Sequence, residues 1–251
     1  VREIHFPRED ADLRLLNAFR SPAHIRMILE EFFWLECGLE LKRSKAKLEE
    51  GIGFALTEQV REKIKAMLPF KPTGAQKRVL GEIAKDMAEP HPMNRLVQGD
   101  VGSGKTLVAA EAAIIAIENG FQVAVLAPTE ILARQHYEKL GPLLGSAGVD
   151  AVLLTGRDTN GQRREKLAAL ASGQAQVAIG THALFQDAVR FDRLALAVID
   201  EQHRFGVEQR AALRAKGEGD TVPDVLVMTA TPIPRTAAMT VYGDLDVSVL
   251  D

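Results

Sequence analysis

The stretch Gly99-Asp100-Val101-Gly102-Ser103-Gly104-Lys105-Thr106 decides the fold. It fits G-x-x-x-x-G-K-[ST] at every fixed position, follows the apolar run Leu96-Val97 and opens an apolar stretch ending near Glu118. Strand, glycine-rich turn and helix in that order make a phosphate cradle. The glycines let the loop wrap so that backbone N–H groups point inward, and the helix N-terminus adds partial positive charge. Lys105 would reach the outer phosphates of a nucleotide, and the Thr106 hydroxyl would ligate Mg²⁺. A turn that is merely rich in glycine is the competing reading; the strand before it and the helix after it weigh against that.

Outward from this loop the chain alternates. Short apolar runs at Leu96-Val97, Val123 to Ala127, Ala151 to Leu154, Val177 to Ile179, Leu194 to Ile199 and Val225 to Met228 are separated by helix-like stretches. Several runs lack polar alternation, which predicts strands buried on both faces of a parallel sheet with helices on each side. In such α/β sheets ligands bind where loops leave the carboxyl ends of strands. Before Pro69 the pattern is helical. Residues from about Asp12 to Leu48 carry Ile25, Ile28, Phe32, Leu35 and Leu39 on one stripe, the mark of a packing helix begun by Ser21-Pro22. Gly51 and Gly53 loosen the chain, Thr57 caps a short helix through Val60, Ile64 and Leu68, and Pro69 ends it. The expected division is a helical connector over 1–69 and an α/β domain over 70–251.

Composition bounds the classes. At 251 residues, 46% hydrophobic and 26% charged, the chain is ordinary globular material. Its longest apolar run is far short of a bilayer span and no signal leader opens it, so it is expected to be soluble and cytoplasmic, with no membrane partner. The single cysteine, Cys37, can form no internal disulfide and suits a reducing compartment. Net charge is −3, with 12 basic and 12 acidic residues in 1–69, so the acidic excess lies in 70–251. Any nucleic-acid contact must therefore come from local placement of charges and amides, not from bulk attraction.

The run Leu194 to Ile199 delivers Asp200-Glu201-Gln202-His203 at its end. Two carboxylates after a buried strand are costly unless a cation or a reacting group needs them. Asp200 would hold Mg²⁺ and Glu201 would orient or deprotonate the water attacking a γ-phosphate. An acidic turn capping a helix is the bland alternative. A further strand, Val225 to Met228, leads into Thr229-Ala230-Thr231-Pro232.

Asp-Glu-x-His after a phosphate loop resembles the superfamily 2 helicases of the D-E-x-H type. Thr229, Ala230 and Thr231 are similar to that family's Thr-Ala-Thr motif, which couples hydrolysis to lobe movement, and Gln202 and His203 would be its hydrogen-bond partners. The strings GDVGSGKT over 99–106, DEQHRFGVEQR over 200–210 and MTATPIPRT over 228–236, with Tyr242-Gly243-Asp244-Leu245-Asp246, resemble the RecG family of branched-DNA helicases. The resemblance implies a RecA-like lobe that binds ATP and Mg²⁺, with Lys105, Asp200, Glu201, Gln202 and His203 at the reacting end. It implies work on stalled replication forks and Holliday junctions, on single- and double-stranded DNA. The implied partners are a second motor lobe supplying an arginine, a wedge domain, and a single-stranded-DNA-binding protein. The chain begins at Val1 and carries no second lobe after Asp251, so it is expected to be one lobe of a longer protein, inactive alone.

Phe70-Lys71-Pro72-Thr73-Gly74-Ala75-Gln76 resembles the family's adenine-reading element, since an aromatic ring can stack on the base and an amide can both donate to and accept from its edge. Thr73-x-x-Gln76 is equally a capping box opening a helix through Val79, Ile83 and Met87. The two roles for Gln76 are compatible. The strand-end loops Pro128-Thr129-Glu130, Thr155-Gly156-Arg157 and Gly180-Thr181-His182 can offer amides to backbone phosphates without reading bases. By resemblance they are strand-tracking motifs, with Arg134 and Gln135 nearby on a helix; each alone is simply an N-cap.

Three rivals remain. A P-loop kinase or GTPase-like switch would use the same loop, but the guanine-reading Asn-Lys-x-Asp is absent. A non-enzymatic module with a dead nucleotide fold is opposed by intact Lys105, Thr106, Asp200 and Glu201. The translocase lobe of a transcription-repair coupling factor keeps the motor and changes the task; a glutamate is expected there in place of Gln202.

Overall fold

β5 (Leu194–Asp200) is apolar and buried along its length until Asp200, because both of its faces are covered. Leu196 and Val198 join one core with Val97, Val123, Val125, Leu226 and Met228. Ala197 and Ile199 join a second core with Ala124, Leu126, Val225 and Val227. A strand with period-2 side chains can fill two cores only when helices lie on both faces. The computed structural model describes residues 2–46, 48–68, 70–200, 216, 221–231 and 245–251, without the side chains of 42, 43, 45 and 46.

In chain order the elements are α1 (Arg2–His5), α2 (Leu13–Asn17), α3 (Pro22–Ala46), α4 (Glu58–Met67), α5 (Gly74–Met87), β1 (Asn94–Gly99), α6 (Lys105–Glu118), β2 (Gln122–Leu126), α7 (Glu130–Ser146), β3 (Ala151–Leu154), α8 (Asn160–Ala171), β4 (Val177–Gly180), a 3₁₀ turn (His182–Phe185), β5, β6 (Asp224–Thr229) and β7 (Asp246–Leu250). The seven strands form one sheet in the order β3-β4-β2-β5-β6-β1-β7, and every pairing is parallel. All strand carboxyl ends therefore share one edge. The order sorts that edge into two halves: β5, β6 and β1 lie side by side, and β3, β4 and β2 form the other half.

α5, α6 and α7 cover one face through Val79, Ile83, Val108, Ile114, Leu140 and Leu144, and Leu170 of α8 covers the other. From Leu107 to Ile117 every residue of α6 is buried, as a central helix flanked by neighbours requires. β7, which the sequence reading did not list among the strands, adds an edge beside β1. Its Ser248 hydroxyl accepts from Arg95 Nη1 at 2.7 Å, and the Arg95 guanidinium is paired in turn with Asp86 of α5 at 2.6 Å.

The connector differs from expectation in two ways. The helix expected from Asp12 to Leu48 is broken into α2 and α3, with Phe19 at a left-handed φ of 56° between them. Ser21 does open the main helix, accepting from His24 N at 3.3 Å. The stripe read as packing is covered at Leu39 alone; Ile25, Ile28, Phe32 and Leu35 are exposed. Periodicity marks which face is apolar and carries no information about what meets it. α4, by contrast, is capped by Thr57 as expected, and Phe54, Val60 and Met67 share the core of the α/β lobe. Lys63 Nζ reaches Glu118 of α6 at 2.5 Å. Among the described residues no helix is long and apolar enough to cross a membrane.

Candidate active site

The loop between β1 and α6 is shaped by its glycines. Gly102 and Gly104 take φ values of 89° and 94°, where a side chain is strained. A Cβ on Gly104 would also lie 2.2 Å from Gln76 Nε2. Lys105 Nζ folds back over the loop, donating to the carbonyls of Gly99 at 2.5 Å and Asp100 at 2.8 Å. The Ser103 hydroxyl is buried and finds no hydrogen-bond partner among the described residues. An orphaned hydroxyl inside a cradle of amides fits a phosphate oxygen, which would satisfy it.

Asp200 stands at the end of β5, in register with Met228 of β6. A cleft of about 320 Å³ joins Gly102, Gly104, Lys105 and Thr106 to Asp200 and Ala230. The loop and the first acidic residue thus line one space. Among the described residues no cluster of three or more His, Cys, Asp or Glu could hold a metal. Thr106 and Asp200 offer the cleft one hydroxyl and one carboxylate, a pair that would suit Mg²⁺ if substrate phosphates and water completed its shell. Glu201, Gln202 and His203 lie outside the described residues. At the end of β6, Thr229 is buried and its Oγ1 accepts from Thr231 N at 3.2 Å, a tight turn that sets Ala230 against the cleft.

Gln76 lies within the capping box predicted at Thr73-x-x-Gln76, with both reciprocal bonds made. Its Nε2 donates to the Ser103 carbonyl at 3.0 Å, a link to the phosphate loop that the sequence did not reveal. Phe70 is exposed.

The strand-end loops fall on the other half of the same edge, after β2, β3 and β4. Pro128 is half-buried and Thr129 exposed, and Thr129 caps α7, accepting from Leu132 N at 3.3 Å. Thr155 and Thr181 are buried, while Gly156 and His182 are exposed. Two amides of the middle loop are already engaged: Thr155 N donates to Asp158 Oδ2 at 3.0 Å and Gly156 N to Glu130 Oε1 at 2.7 Å. Burial pushes the Asp158 carboxyl up, yet its bond to Lys166 and that amide outweigh burial and hold it below the usual range.

α7 supplies what the sequence reading missed. Arg134 is exposed on it, but Gln135, grouped with the DNA residues, lines the nucleotide cleft with Leu132, His136 and Lys139. The signal was available as i, i+3, i+4, i+7 spacing from a strand-end cap. His136 Nε2 lies 2.6 Å from Asp200 Oδ2.

A parallel sheet with a phosphate loop, a carboxylate and a Thr-Ala-Thr turn converging on one cleft defines a nucleoside-triphosphate-binding motor lobe. The chain belongs to the DEAD/DEAH box helicase family, which matches residues 73–240. It is 49% identical along its whole length to the ATP-dependent DNA helicase RecG of Pasteurella multocida and to that of Escherichia coli K12, spanning 36% of each. It is 46% identical to RecG of Aquifex aeolicus, spanning 31%. The likeness includes residues 1–69, which the motif strings alone did not reach. A solved structure of RecG bound to a three-way DNA junction superposes with a TM-score of 0.77 at 43% identity, covering 91% of this chain and 30% of that one. The chain thus spans about a third of the length of the curated relatives it matches.

Proposed function

We propose that this chain is the ATP-binding lobe of an ATP-dependent DNA helicase that remodels branched DNA such as stalled forks and Holliday junctions. The observation that carries the reading is the single cleft where Lys105 and Thr106 meet Asp200, on an edge whose other half bears the strand-end loops. Lys105 and the loop amides bind the phosphates of ATP, and Thr106 and Asp200 hold Mg²⁺. The ion would neutralise charge on the β- and γ-oxygens. Glu201 orients the attacking water; Gln202 and His203 pass the state of the γ-phosphate to Thr229 and Thr231. Phe70 and Gln76 meet the adenine.

Pro128, Thr129, Arg134, Thr155, Gly156, Thr181 and His182 track the backbone of DNA without reading bases, and Gln135 faces both tasks from α7. Residues 1–69 serve as connector to a wedge domain, with α4 packed on the lobe. In the whole protein a second lobe closes the cleft and supplies an arginine, and a single-stranded-DNA-binding protein is a further partner. The 251 residues alone would bind ATP weakly and hydrolyse it negligibly, and the whole protein would work in the cytoplasm. The test is DNA-stimulated ATPase of the full-length protein on forked, four-way and linear DNA, with Glu201→Gln as control. Stimulation should be greatest on branched substrates and vanish in the control; preference for linear duplex would refute the branched-DNA reading.

A further inference from the structure

Asp200 does not stand alone at the cleft. Its Oδ2 lies 2.6 Å from Nε2 of His136, and the two side chains are 16% and 11% exposed. An ionised carboxylate can only accept, so Nε2 carries the hydrogen and donates it. Among the described residues this is the one hydrogen bond that the Asp200 side chain makes. His136 belongs to the second turn of α7, whose N-terminus Thr129 caps, so its ring is delivered to the cleft from a strand other than β5.

We propose that His136 is a positioning residue that fixes the Asp200 carboxylate by holding Oδ2, leaving Oδ1 to the magnesium of the bound nucleotide. The proposal rests on the reading of Asp200 as the metal carboxylate. A carboxylate at a strand end can rotate about its last bond, and binding a cation then costs the freedom that rotation gave. A buried donor on one oxygen removes that freedom beforehand. Such outer partners of metal-binding groups commonly govern metal affinity by about 10- to 100-fold. A histidine that merely filled space here would affect stability and leave the magnesium dependence alone.

The test uses the full-length protein and a fluorescent N-methylanthraniloyl ATP, titrated in EDTA and across magnesium concentrations. The ratio of the two affinities is magnesium's contribution. Asp200→Asn should abolish that contribution. His136→Ala should reduce that ratio by about 10-fold or more. His136→Gln, whose amide N–H can stand near the place of Nε2, should retain most of it; His136→Asn, whose shorter amide cannot, should lose it. Loss in Asp200→Asn with full retention in His136→Ala would overturn the positioning role and leave the metal reading intact. Retention in Asp200→Asn would overturn the metal reading itself. Should His136→Ala fail to fold by thermal melting, the Gln and Asn variants decide: equal magnesium contributions in both would sink the proposal.

Discussion

The side-chain amide of Gln76 donates from Nε2 to the Ser103 carbonyl at 3.0 Å while its Oε1 accepts from Thr73 N at 2.9 Å. One buried side chain thus closes the N-terminus of α5 and props the phosphate loop. Each atom retains further capacity, one hydrogen on Nε2 and one lone pair on Oε1, so the base edge can still be read. Gln76→Ala should therefore lose two things. Stability should fall by about 1 to 3 kcal/mol, from unmade bonds to buried partners, read by urea denaturation. Affinity for ATP should fall more than affinity for GTP, read by competition titration; an equal fall for both would leave Gln76 a loop prop with no part in base choice.

Glu130 places a carboxylate among the strand-end loops. Its Oε1 accepts from Gly156 N at 2.7 Å and its Oε2 lies 3.5 Å from Arg157 Nε. A Cβ on Gly156 would meet Glu130 Oε1 at 2.8 Å, so a side chain there would have to displace that carboxylate. Glu130→Gln keeps an acceptor for the amide and removes a charge that repels phosphate. Single-stranded DNA should bind about two- to threefold more tightly at low salt, with the gain vanishing as salt screens the site. Fluorescence anisotropy across a salt series measures this, and weaker binding at low salt would mean that the Glu130 charge organises the loop by holding Arg157.

The sheet and the phosphate loop were legible because they depend on local pattern: buried runs such as Leu194 to Ile199 and glycines at fixed spacing announce themselves. β7 was not, since Asp246–Leu250 is a short edge strand in which Asp246 and Val249 are exposed, so no continuous apolar run marks it. His136 was not, because its meaning arises from a contact across 64 residues, and a histidine on a helix looks like any other until the sheet order brings β2 beside β5. The Gln76 to Ser103 bond was half legible: the capping box is a local rule, and the reach to the loop is a tertiary one.

Glu111 is a carboxylic acid in the middle of α6, 3% exposed, with Oε1 unpartnered among the described residues. Burial raises its pKa from 4.5 to about 7. The folded chain therefore keeps a proton there that the unfolded chain has already released. Its contribution to stability is full at pH values below the unfolded pKa and is lost as pH rises towards the folded one. Glu111→Gln removes the titration and keeps the shape. Variant and wild type should be of similar stability near pH 4.5, and the variant should gain by up to about 3 kcal/mol above neutrality. Urea denaturation at a series of pH values checks this; a difference that did not change with pH would assign the burial cost to something other than ionisation.

α3 makes a prediction about cooperativity. A helix of 25 residues has little stability of its own in water, since nucleation is costly and most helical stability in proteins comes from packing an apolar face. Here Ile25, Ile28, Phe32, Phe33 and Trp34 are exposed, so the packing that would normally sustain the helix is slight. The lobe, with its two cores, holds its helices far more firmly. In the 251-residue chain α3 should therefore unfold at lower temperature than the sheet and the helices that cover it. Trp34 is the only tryptophan and is 71% exposed, so it reports on α3 alone. Its emission should already resemble that of a hydrated indole, and its anisotropy should drop before the main loss of ellipticity at 222 nm. Coincident transitions by the two probes would show that α3 is bound into the same cooperative unit as the lobe.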